Sequence, residues 1–173
     1  MNRRQLIYRG ACAGASLSLP LARLRAEAIK KTGLAEVYKD YFKLGTAIST
    51  KTLSGENPSM LPLIAREFNA ITAENAMKWS SIHPSHDRWN WGLCDKFVNF
   101  GRANSMLMIG HTLVWHKQTP SSLFIDRGEL ISPKKLYKRL GNHISTVVDR
   151  YKAYIAVWDV VNEAFDEKVG WRK

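Results

Sequence analysis

Apolar residues recur along this chain with two periods, and the periods alternate. Leu34, Val37, Tyr38 and Tyr41 follow helical spacing, and the run Phe42–Ile48 behind them predicts a strand. Pro62–Phe68 predicts a helix showing Ile64, Ala65 and Phe68, followed by a short strand over Ala70–Thr72. In Gly92–Asn104 the residues Leu93, Phe97 and Phe100 stand at i, i+4 and i+7, one face of a helix. Met106–Val114 is mostly apolar and reads as a buried strand. Ser132-Pro133 is a helix start, Ser as N-cap and Pro in the first turn. The apolar stripe behind it comprises Leu136, Leu140, Ile144, Val147, Val148 and Tyr151, and Ile155–Val161 is the next strand.

The order is β-α-β-α-β-α-β. Strands joined through helices run parallel, and near-continuous apolar strands suit a sheet covered on both faces. Two architectures compete, an open doubly wound sheet and a closed barrel. Gly45-Thr46-Ala47 lies within the first strand and carries one glycine, too few for a phosphate loop. The expected fold is therefore α/β, a (β/α)8 TIM barrel. A full barrel takes about 250 residues. With 173 residues, the chain is expected to hold about the first four β/α units.

The N-terminus stands apart from this pattern. Arg3, Arg4 and Arg9 precede the small, mildly apolar Ala11–Ala22, and Ala26-Glu27-Ala28 supplies a small-x-small cleavage site. That is the order of a signal peptide. Arg3-Arg4-Gln5-Leu6-Ile7 fits a twin-arginine address, read by a receptor. Residues 1–28 are expected to be this leader and 29–173 the N-terminal half of a catalytic barrel, secreted or periplasmic. No apolar run approaches the roughly 18 residues of a membrane span, so no membrane role beyond export is expected.

Without the leader, 21 Lys and Arg face 14 Asp and Glu, and the net charge falls from +11 to +7. The cations are spread along helices such as Pro133–Arg139, which reads as a solvated face, and together with the expected leader this argues against a nucleic-acid module. Cys94, beside Leu93 and Phe97, is expected to be buried and inert. His83 and His86 have no ligand spacing, so neither a metal site nor a cofactor is expected.

Polar and aromatic residues gather where the strands end. Thr72-Ala73-Glu74-Asn75-Ala76-Met77-Lys78-Trp79 follows the second, Gly110–Pro120 the third and Trp158–Ala164 the fourth. Barrel sites are built at that edge. Glu74, Asn75, Lys78, Gln118 and Asn162 are planar or charged groups suited to sugar hydroxyls, and Trp79 and Trp115 are flat platforms for pyranose faces. Glu163 follows an apolar strand directly, where burial would raise its pKa and keep it protonated as a general acid. Asp159 reads as a supporting or a structural residue and His116 as structural.

From about Phe42 onward the chain resembles glycoside hydrolase family 10, the endo-β-1,4-xylanases. The stretches that carry the resemblance are Thr72–Trp79, Gly-His-Thr-Leu-Val-Trp-His from Gly110, and Trp-Asp-Val-Val-Asn-Glu-Ala from Trp158. The resemblance implies retaining endo-hydrolysis of xylan by two carboxylates. It implies Glu163 as acid/base, with Glu74, Asn75, Lys78, His111, Trp115, Gln118 and Asn162 lining the glycone subsites. The family nucleophile is a second Glu near the seventh strand, so a C-terminal half-barrel is the expected missing partner and this stretch alone is expected to be inactive. The family also usually places a Trp where Ser122 stands. The alternative is a non-catalytic, secreted polysaccharide-binding half-barrel.

Overall fold

The computed structural model describes residues 32–172; the expected leader, residues 1–28, lies outside the described residues. Short helices α1 (Leu34–Val37), α2 (Thr50–Ser54), α3 (Met60–Glu67) and α4 (Trp79–Ile82) are joined by two long ones, α5 (Gly92–Ala103) and α6 (Pro133–Tyr151). Strands β1 (Gly45–Ile48), β2 (Ala70–Ala73) and β3 (Leu107–Gly110) form a parallel sheet with β7 (Val157–Trp158), in the order β1-β2-β3-β7. A doubly wound sheet reverses direction at a switch point. Here each strand is added on the same side, which is the order of a barrel.

Between β3 and β7 lie β4 (Val114–Trp115) and the hairpin β5 (Ile125–Asp126) and β6 (Glu129–Leu130). After β7 come β8 (Val161–Asn162), β9 (Phe165–Asp166) and β10 (Gly170–Trp171). Helix α6 begins as expected, with the Ser132 hydroxyl accepting from the Lys135 amide and Pro133 in the first turn. The core packs Ile48, Ile71 and Met108 of the sheet against Phe97 and Val98 of α5 and Val147 and Tyr151 of α6. Cys94 is fully buried in it, its thiol donating to the Ala76 carbonyl.

Two glycines allow close approach. A Cβ on Gly110 would stand 2.2 Å from the Trp158 ring, and one on Gly101 would stand 2.3 Å from the Met108 sulfur.

Three expected strands are shorter than their apolar runs. Phe42–Ile48 pairs from Gly45 onward, because Asn69 closes the sheet below it: its Oδ1 accepts from the Leu44 amide at 2.7 Å. Met106–Val114 and Ile155–Val161 each break in two. The first chain leaves the sheet at Gly110, passes a cis His111–Thr112 peptide and pairs again as β4; the second leaves at Trp158 and pairs again as β8. Coverage on both faces is also incomplete, since Ala47, Val157 and Val161 are exposed.

Candidate active site

The two breaks build the site. Once the chains leave the sheet, β4 and β8 pair in parallel, with Val114 opposite Val161 and Trp115 opposite Asn162. The junction is held by backbone bonds from Leu113 to Asp159 and from Val114 to Val160, both 3.0 Å, and by the Thr112 hydroxyl on the Asp159 carbonyl at 2.9 Å. Glu163 is thereby set one residue beyond the partner of Trp115. Its backbone is left-handed, φ +52°, an uncommon conformation for a residue with a Cβ, and Arg172 donates to its carbonyl at 3.0 Å.

A second group comes from the turn after β2. Lys78 is buried, and its Nζ donates to Asn75 Oδ1 at 3.0 Å and lies 4.4 Å from the centre of the Trp115 ring. Gln118 Nε2 donates to the same Asn75 oxygen at 3.4 Å, and the Asn75 amide donates to Glu74 at 3.3 Å. His111, at the end of β3, meets Asp159 at 2.7 Å through Nδ1. That contact assigns one ring nitrogen of His111 to the carboxylate and leaves Nε2 to face outward. Asp159 therefore supports the site, as its place in the strand suggests. Glu74, Asn75, Lys78, Trp115 and Gln118 form one connected group. Asn162 and Glu163 join it through the β4–β8 pair, and His111 stands at the foot of that junction.

Two expectations are overturned. Trp79 is not a platform open to sugar: it is 3% exposed and lies face to face on the His143 ring, 3.6 Å away. It follows Lys78 into a helix whose first residue turns inward. Among the described residues the Glu163 carboxyl is exposed, and in those surroundings its pKa is held below the ordinary carboxylate range instead of above it. The largest cause is the Trp115 indole N–H; slight desolvation opposes it, and Lys117, His116 and Arg172 add to the lowering. Trp115 Nε1 completes no hydrogen bond of normal geometry. It acts on the carboxylate as a nearby dipole.

Three neighbours of Glu163 were not singled out as site residues by the pattern of the chain. Lys117 Nζ is 3.6 Å and His116 Nε2 3.8 Å from Glu163 Oε2, and Arg172 holds its backbone. The first two lie within two positions of Trp115 in sequence, which is the signal that could have found them. Nor is Arg139 on a solvated face: it donates to the Ser122 and Ile125 carbonyls. Among the described residues, no three His, Cys, Asp or Glu side chains come together as a metal-ligating group, and no helix is long and apolar enough to cross a membrane.

Parallel strands in sequential order, with carboxylate, amide, imidazole and indole groups at their carboxyl ends, define a barrel protein whose site lies at that edge. The sequence model of glycosyl hydrolase family 10 matches residues 33–173, and the chain belongs to that family. It is 43% identical over 148 residues to endo-1,4-beta-xylanase A of Caldicellulosiruptor saccharolyticus, covering 81% of this chain and 42% of that protein. A family 10 endoxylanase from a sugarcane soil metagenome superposes with a TM-score of 0.78 at 48% identity, over 82% of this chain and 43% of that one. The endo-1,4-beta-xylanase of Caldicellulosiruptor owensensis superposes at 0.75 and 42% identity, with the same coverage. The described residues are thus part of a (β/α)8 barrel, and the chain spans about two-fifths of the length of these relatives.

Proposed function

We propose that the whole protein hydrolyses internal β-1,4-xylosidic bonds of xylan with retention, and that Glu163 is its acid/base. The observation that carries this reading is the convergence of Glu163 on the Asn75–Lys78–Gln118–Trp115 group at one sheet edge, in a chain of glycosyl hydrolase family 10. Trp115 supplies a flat apolar face for a pyranose ring. Glu74, Asn75, Lys78, Gln118 and His111 supply donors and acceptors for hydroxyls on the glycone side, and Asn162 reaches the hydroxyl next to the reacting carbon. Glu163 protonates the glycosidic oxygen as it leaves, then takes the proton of the attacking water.

A proton donor must hold its proton near neutral pH, and in the surroundings described Glu163 does not. A second carboxylate about 5–5.5 Å away, as a retaining mechanism requires, would raise it by like-charge repulsion. The acid and the nucleophile are therefore coupled, and burial of Glu163 by the rest of the barrel would act in the same direction.

The reading is tested with Glu163→Gln in the whole protein. Hydrolysis of unactivated xylan should fall by about 10²–10⁴-fold, the range of general acid catalysis. An aryl xyloside with a good leaving group needs little protonation and should lose far less in its first step. Equal losses on both in pre-steady-state kinetics remove Glu163 from the role. The reading includes export, on the strength of Arg3-Arg4 and the small-residue stretch behind them. Arg3→Lys with Arg4→Lys should abolish secretion; unchanged secretion in cells lacking a twin-arginine translocon rejects this part alone.

A further inference from the structure

Behind the site lies a stack of rings that the chemistry above does not use. Trp79 lies on His143 at 3.6 Å between ring centres and 6° between planes. His143 and His83 are coplanar to 3° and share a hydrogen bond between their Nδ1 atoms at 3.2 Å. His83 lies on Trp89 at 3.7 Å, and Trp89 on Trp91 at 4.8 Å. His143 is fully buried, so both of its flat faces and its edge are occupied by protein.

Helix α4 spans four residues, Trp79–Ile82, too short to be stable by itself. Lys78 is its N-cap residue and makes no side-chain capping bond to it. Trp79 at its first position and His83 at its C-cap, four residues apart, both engage His143. One imidazole from α6 therefore ties down both ends of the helix that begins at Lys78. On the other side of Lys78, the ammonium is set by Asn75 Oδ1 and the Trp115 face. Among the described residues Lys78 has no carboxylate partner, so these two contacts and the position of its backbone together decide where its charge stands.

We propose that His143 is a positioning residue for sugar binding: by carrying Trp79, it sets the place of Lys78 in the cleft. The proposal rests on the reading of Lys78 as a glycone-side ligand. The flat ring is the part that acts, and the bond to His83 keeps that ring in plane. Among the described residues, His86, whose carbonyl faces His83 Nε2 at 3.3 Å, Asp87 and Arg139 are charged or titratable groups near the pair. The two histidines share one hydrogen between their facing nitrogens and are neutral together.

The test is kinetic, in the whole protein, on a soluble β-1,4-xylo-oligosaccharide. His143→Ala removes the ring, His143→Gln keeps a hydrogen-bonding end without a ring, and His143→Phe keeps a ring without the bond. The Ala and Gln variants should raise KM about 5–10-fold with kcat changed less than about twofold, a loss of uniform binding. The Phe variant should restore KM to within about twofold of wild type. In a Lys78→Ala background, His143→Ala or His143→Gln should raise KM no further, because both changes act on one interaction. Additive effects in the two backgrounds overturn the proposal. So does a folded Ala or Gln variant with unaltered KM, or a Gln variant that restores KM where Phe does not. Absence of xylan hydrolysis by the wild type would instead reject the proposed function, which keeps the two failures apart.

Discussion

At the residue scale, Glu163 joins a legible identity to an illegible charge state. Its place at the end of an apolar run, inside Trp-Asp-Val-Val-Asn-Glu-Ala, is written in the chain. Its pKa depends on who stands near it, and Lys117 and His116 reach it only because β4 and β8 pair. Lys117 is exposed, so its effect is screened. Lys117→Gln should raise the Glu163 pKa in the whole protein. An acid catalyst works while protonated, so the alkaline limb of kcat/KM should move to higher pH, more at low salt than at high. An unmoved limb at low salt would mean that another group controls it.

Trp79 makes the same point from the other side. An indole beside Lys78 reads equally well as sugar platform or core, and its burial on His143 decides for core. A histidine on the apolar stripe Leu136, Leu140, Val147, Tyr151 was the available hint, since His143 keeps the helical spacing of that face.

At the element scale, α5 and α6 are joined by more than apolar contact. Arg150 and the Tyr151 hydroxyl converge on Asp95, at 2.7 Å to Oδ2 and 2.8 Å to Oδ1. Desolvation by itself would raise the Asp95 pKa, but these two bonds outweigh it and hold it low. The His143 link between α6 and α4 has the opposite acid–base character. Burial pushes the His143 pKa down to about 3, the nearby His83 pushes the same way, and the Leu113 backbone opposes weakly. His83 is also lowered, chiefly by burial.

A lowered histidine pKa gives stability that is fully present above its unfolded value, about 6.5. That stability is lost as pH falls toward the folded value. Below about pH 6 one such group costs up to ~1.4 kcal/mol per pH unit. Urea midpoints should therefore begin to fall near pH 6, above the range in which carboxylates protonate. His143→Phe, which takes up no proton there, should flatten that decline. Identical slopes for wild type and variant between pH 6 and 4 would exclude the pair as the origin.

At the scale of the whole molecule, the four parallel strands of the described residues have two edges, β1 and β7, each with one partner among those residues. Around the second edge Val157, Val160, Val161, Phe165, Val169 and Trp171 are all at least 49% exposed. Unpaired strands beside contiguous apolar surface invite association. Residues 29–173 produced alone should therefore sediment as dimers or larger species and release no reducing sugar from xylan. Within that stretch Asp159 is occupied by His111, and the proposed function gives Glu74 to sugar binding. A monodisperse monomer that hydrolyses xylan would overturn both parts of this expectation.

The sequence by itself determined the alternation of helix and strand, the Ser132 cap, the burial of Cys94 and the strand ends at which chemistry collects. These follow from periodicity and local chemistry, which act over a few residues and survive any later packing. It also carried enough of three motifs to point to the family. Tertiary structure decided where the long apolar runs stop being strands, because pairing needs a partner in register, and β4 and β8 find theirs in each other. It decided that Glu163 is exposed among cations, that Asp159 holds His111, and that Trp79 lies inward on a buried histidine. Each of these depends on groups 46 to 64 positions apart in the chain, from Lys117 with Glu163 to Trp79 with His143, being brought within a few ångströms, and no local period encodes such a distance.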